Sequence, residues 1–101
     1  MFSQIGGARV GWWNVSMPFA VLSGDCNALR LSCFGRDYVF HKTTIGRLSR
    51  YSGIFSVGLR IEHRVSLFPT FVVFWVSLAW SRAPFASLKE KLESLGYMVN
   101  E

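Results

Sequence analysis

One stretch, Val57 to Ser77 (VGLRIEHRVSLFPTFVVFWVS), restricts the folds open to this chain more than any other. Its first half alternates: Val57, Leu59, Ile61 and His63 fall on one side of an extended backbone, Gly58, Arg60, Glu62 and Arg64 on the other. A period of two marks a strand with one buried and one wet face. From Thr70 to Val76 both faces are apolar, the pattern of a strand covered on both sides. Pro69, in the join, has no N–H for a ladder and suits a connection or the first residue of a strand. The expectation is a central hairpin, with Trp75 in the core.

The rest of the chain reads as strands up to residue 78 and as helix after it. Residues 1–11 contain Gly6, Gly7 and Gly11 with little periodicity, so they are expected to be a flexible lead-in. Residues 12–101 then make a single domain, with strands over about 12–78 and a helix over about 83–95. Met17, Phe19 and Val21 share a face, and Pro18 belongs at a strand start or an edge. Ser23–Asn27 combines Gly, Asp and Asn and is a turn. Leu29, Leu31 and Cys33 alternate with Arg30 and Ser32, and Tyr38–Lys42 returns after a turn at Gly35–Asp37. In Thr43–Tyr51, Ile45 and Leu48 differ in parity, and a bulge at Gly46 reconciles them. Trp80–Ala83 is the switch to helix, with Ser81 as a candidate cap. From Pro84, Phe85, Leu88, Leu92 and Leu95 recur at helical spacing, with Gly96 placed to end the helix. The fold class is mainly β with a C-terminal helix, a strongly bent antiparallel sheet or barrel of six or seven strands capped by that helix.

Composition sets the partners to consider. The chain has 101 residues and 50% apolar side chains, enough for one real core without metal or disulfide staples. Its 16% aromatic content is more than such a core easily hides, which directs some of it to a partner surface. Trp12 and Trp13 are adjacent in an extended segment, so one of them faces outward. They are the candidate partner or self-association surface. Lys and Arg outnumber Asp and Glu by 11 to 6, a net charge of +5 that favours an acidic partner. Arg60 and Arg64 on the wet side of one strand, with Arg47 and Arg50 on the preceding one, are the candidate binding patch.

Catalytic chemistry has little to stand on. Glu62 and His63 are neighbours on a strand and point to opposite faces, so they cannot work as a pair. No phosphate loop, nucleophile elbow or HExxH motif occurs. Cys26, Cys33, His41 and His63 lack the paired spacing of a zinc site, and two free thiols suit a reducing compartment. The chain is therefore expected to be no enzyme, with no catalytic residue, cofactor, metal or small-molecule substrate. Phe68–Trp80 is short and holds Pro69, where a spanning helix needs roughly 20 apolar residues. Arg9 sits where a signal peptide would have its apolar core. The expected location is the cytoplasm, at the membrane face if the chain is part of a longer anchored protein.

The order of elements resembles the pleckstrin-homology-like fold. Ser16-Met17-Pro18-Phe19-Ala20, Gly58-Leu59-Arg60-Ile61, Val73-Phe74-Trp75 and the last helix look like small bacterial proteins of that type, over about residues 14–97. The resemblance implies a scaffold for binding phosphoinositides, peptides or proteins, not a catalyst. Lipid-binding eukaryotic members carry a Lys/Arg motif around the first two strands. The corresponding turn here, Ser23–Asn27, has Asp25 in its middle and only Arg30 beyond it, a departure from that motif. The expected function is thus a binding or adaptor module engaging a protein, a second copy of itself or an anionic membrane surface. The alternative is a nucleic-acid-binding barrel of the OB type, which also presents aromatic rings among bases.

Overall fold

The computed structural model describes residues 2–33, 35–52, 57–77 and 83–100. The two halves of the central stretch pair as their patterns require. β6 (Val57–His63) and β7 (Val72–Ser77) are antiparallel neighbours, with Leu59 opposite Phe74 and Arg60 opposite Val73. Around them lie β1 (Phe2–Val10), β2 (Trp13–Gly24), β3 (Ala28–Cys33), β4 (Arg36–His41) and β5 (Ile45–Ser52), with a 3-10 turn at Lys42–Thr44. The helix α1 (Ala83–Ser94) and the short β8 (Val99–Asn100) follow. The sheet runs β4-β3-β2-β1-β7-β6-β5-β8, and β8 joins β5 in parallel while every other pair is antiparallel. The protein is mainly β, a strongly curled half-barrel of eight strands capped by one helix.

Eight strands exceed the six or seven expected, and the first of the extra ones corrects the reading of the N-terminus. Residues 2–10 are not a loose lead-in but β1, paired with β2 on one side and β7 on the other. Composition misleads here because glycine serves close packing as well as flexibility. A Cβ on Gly6 would run into the Trp75 carbonyl oxygen and the Phe74 ring. Between Gly6 and Ala8 the register slips, so that two steps along β1 match Val15 to Ala20 on β2. The extra residues of β2 form an irregularity in the ladder. Beyond it Ala20 and Leu22 turn inward, which leaves Phe19 exposed and Val21 half-buried on the outer side. The bulge expected at Gly46 is present: the β5–β6 register shifts between Ile45 and Arg47, and Leu48 faces the core.

The concave face holds the core. Leu22, Leu29, Leu31, Phe40, Leu59, Ile61, Val72 and Phe74 converge there with Phe85, Leu88 and Leu92 of the helix. Removing this much apolar surface from water is the main stabilising term of the fold. The helix ends in a Schellman motif. Tyr97 N–H donates to the Leu92 carbonyl (3.0 Å), Gly96 N–H to Glu93 (3.0 Å), and Gly96 takes φ +91°. Lys42 Nζ donates to the Leu95 carbonyl at 3.4 Å, placing a cation at the negative end of the helix. The Tyr97 hydroxyl donates to the Asp25 carbonyl at 2.7 Å and so ties the helix end to the β2–β3 turn. Burial first, then the Asp25 and Cys26 charges, push the Tyr97 phenol up to about 12. Asp25 itself accepts from the Asn27 and Ala28 amides (2.8 and 3.2 Å), which hold its carboxyl below the usual range. The sequence switch at Trp80–Ala83, with its Ser81 cap, lies outside the described residues up to position 82.

The connection 64–71 closes the open side of the half-barrel. Phe68 turns inward and meets Tyr38 (5.1 Å) and Phe40 (5.5 Å) edge-on, across from the far end of the sheet. His63 fastens this connection. Its Nδ1 accepts from Val65 N–H (3.0 Å), so Nε2 carries the proton donated to the Pro69 carbonyl (2.8 Å). His63 is thus a hydrogen-bonded rim residue.

Candidate binding face

The outer face of β1, β7, β6 and β5 carries a second, smaller assembly. It begins with Val73, which is 0% exposed although it points away from the concave core. Arg9 on β1 and Arg60 on β6 are its cross-strand partners, and directly opposed side chains share a face. Their aliphatic stems can cover the valine while the charged heads stay near water. Phe71, just before β7, takes both heads: the Arg9 and Arg60 guanidinium carbons lie 5.4 and 5.3 Å from its ring centre. Arg9 also lies 5.8 Å from the Trp12 ring. The chain of contacts continues through Tyr51, edge-on to Phe71 (5.5 Å) and to Trp75 (5.6 Å).

Glycine makes the far end of this row possible. Gly58 lies opposite both Tyr51 and Trp75. A Cβ there would meet the Phe74 carbonyl (2.7 Å), the Trp75 ring (2.8 Å) and Val73 (2.8 Å). The indole covers the bare backbone, as aromatic rings do over strand glycines. Trp75 is therefore half-buried on the outer face rather than in the core. Only its neighbours Phe74 and Val76 face the concave side, because strand parity separates them.

The electrostatics of the row are unbalanced. Arg9 Nε donates to the Gly11 carbonyl at 3.1 Å. Arg60 Nε is buried with no acceptor. The acid on this face, Glu62, stands opposite Arg47 on β5. Two guanidiniums thus share one aromatic ring, within a screening length of roughly 10 Å of each other. A cleft of about 430 Å³ opens beside them, lined by Arg9, Gly11, Trp12, Tyr51 and Phe71. That is within the size range of ligand sites.

Two large apolar side chains protrude at the adjoining end of the molecule. Trp12, in the β1–β2 turn, is 93% exposed, and Leu67, in the 64–71 connection, is 91% exposed. The two segments are docked together: Gly11 N–H donates to the Phe71 carbonyl at 2.7 Å, and Gly11 abuts Pro69. Gly11 takes φ +61°, the left-handed turn conformation.

Comparison with known proteins returns no match: no family fits the chain, and neither a curated protein nor a solved structure does.

The four arginines of the predicted patch do not form one surface. Arg47 and Arg60 share the outer face, and exposed Arg64 follows at the end of β6. Arg50 is opposite Leu59 and so is on the concave side of the sheet. The shift at Gly46 sets this parity; without it Arg47 would have faced inward. Of the two neighbouring tryptophans, Trp12 is the outward one. Trp13 packs against the core, with Arg36 5.1 Å from its ring. Sequence reasoning missed Arg9, Tyr51 and Phe71. Arg9 was assigned to a loose segment, and Phe71 and Tyr51 have no motif around them. The available signal was the pairing of β1 with β7, which no local pattern reveals. Cys26 is an exposed turn residue and Cys33 is buried in β3, both unbridged. Burial first, then the Asp37 charge, raise the Cys33 thiol to about 11, so it is a poor nucleophile or ligand.

Proposed function

We propose that this protein is a non-catalytic binding module on a pleckstrin-homology-like scaffold, working at an anionic membrane surface. The scaffold reading is supported by six antiparallel strands, β2 to β7, followed by a helix within the stretch that carries the resemblance. The observation that carries the functional reading is the pair of protruding side chains, Trp12 and Leu67, on two turns fastened to each other. Tryptophan suits the boundary between headgroups and acyl chains, where its ring is half in an apolar medium and its N–H stays wet. Arg9 and Arg64 flank the same two segments, and each base near an anionic bilayer adds about 1 kcal/mol of attraction. Two apolar anchors and a few bases make a reversible attachment, of the kind an adaptor needs.

Sedimentation with vesicles tests this reading. Phosphatidylcholine vesicles containing phosphatidylserine should carry the protein down, pure phosphatidylcholine should carry much less, and added salt should release it. Leu67→Ser and Trp12→Ser should each weaken the association by about tenfold, an estimate from the transfer energy of a large apolar side chain. Equal sedimentation with and without vesicles would refute it. The nucleic-acid alternative has less support, since Trp12 alone among the row's rings is openly exposed, where a stacking platform offers several. Steeply salt-dependent binding of a random single-stranded oligonucleotide, with no vesicle binding, would reverse that preference. A stable dimer that Trp12→Ser dissociates would instead assign the turn to self-association.

A further inference from the structure

We infer that the outer-face cleft is a second binding site, taking an acidic segment of a partner protein in which a carboxylate sits beside an aromatic residue. The cleft offers complementary chemistry for each part. Among the described residues Arg9 donates only through Nε, to the Gly11 carbonyl, which leaves the outer edge of its guanidinium to meet an acceptor. That edge is a planar pair of donors, matched to a carboxylate in the bidentate geometry arginine favours. Arg60, behind Phe71, adds a second positive charge, and its buried Nε has no acceptor. Trp12 and Tyr51 wall the cleft and give a flat apolar side chain two rings to lie against. Fixing Arg9 between the Trp12 and Phe71 rings lowers the entropy it loses on binding.

The donor set favours carboxylate over phosphate. Phosphate sites draw on clustered backbone N–H groups as well as bases. Here the turn amide nearest the cleft, Gly11 N–H, is already engaged by the Phe71 carbonyl. What remains is the Arg9 guanidinium edge, the Tyr51 phenol and the Trp12 indole N–H, in a space of about 430 Å³ that suits two adjacent side chains rather than a polymer backbone. The cleft shares Trp12 and Arg9 with the membrane reading, whereas Leu67 belongs to the membrane reading alone and so separates the two in a test.

The test uses the full chain and a pool of fluorescein-labelled peptides with a Glu-Trp-Glu core between random flanking residues, read by fluorescence anisotropy. Saturable binding is expected, weakened about tenfold by Arg9→Gln and several-fold by Arg60→Gln, the range for hydrogen bonds to charged groups. A Gln-Trp-Gln core should lose as much as Arg9→Gln does. Arg9→Lys keeps the charge without the fork and should fall between, with an unchanged melting temperature showing that the turn is intact. Leu67→Ser should bind peptide like the parent protein while losing vesicles. No saturable binding, equal binding of the Gln core, or an unaffected but folded Arg9→Gln protein would each overturn the inference. Competition by inorganic phosphate ahead of free glutamate would overturn the choice of carboxylate.

Discussion

Strand β7 is buried on both sides, and its two sides are buried by different means. Val72, Phe74 and Val76 face the concave core, among aliphatic side chains and the helix. Val73 faces outward and is buried just as fully, yet it lies opposite the arginines of β1 and β6. On the inner side the described neighbours of β7 are apolar core side chains. On the outer side the stems can bury apolar area while the heads keep their charge, so a packing solution is also a binding surface. The contrast explains why a run as apolar as VVFWV can sit beside the candidate site.

Substitutions can break or sharpen this contrast. The largest effect belongs to the inner face: Phe74→Ala should cost about 3–5 kcal/mol in denaturant unfolding, since Phe74 is fully enclosed by rigid neighbours. A loss near 1 kcal/mol would mean that the core is loosely packed. The matched pair Val72→Ala and Val73→Ala comes next, because the residues are adjacent, equally buried and on opposite faces. We expect about 2–3 kcal/mol for Val72 and about 1–1.5 kcal/mol for Val73, whose covering stems can collapse into the space left. Equal losses would show that the outer cover is as rigid as the core. The smallest change is Arg60→Met, which keeps an apolar stem and removes the unpartnered Nε. Stability should move by less than about 0.5 kcal/mol, against about 1 kcal/mol lost in Arg60→Ala. A large loss in Arg60→Met would show that the guanidinium itself holds the row together.

Local pattern carried much of the fold. The central hairpin, the inward set Leu29, Leu31 and Cys33, the Gly46 bulge and the helix through Leu92 to Gly96 were all legible, because each depends on residues within a few positions of one another. Three readings needed correction, and each turns on a neighbour distant in sequence. Glycines at 6 and 7 read as looseness because the Trp75 carbonyl and Phe74 ring that crowd Gly6 come from the other end of the chain. Trp75 read as core because an apolar run hides which parity faces inward. Arg50 read as part of the arginine patch because a bulge shifts which residues of β5 share a face.

By itself, the sequence determined the element types from β2 to α1, the turns and most of the content of the inner face, since period and turn chemistry are local properties. Only the tertiary structure decided that β1 lies against β7. That pairing brings Arg9 to Phe71 and gathers Arg9, Trp12, Tyr51 and Phe71 around one cleft. The physical reason is that strand pairing order is a long-range choice. It is settled by which faces can be buried together, not by any residue's own neighbours in the chain.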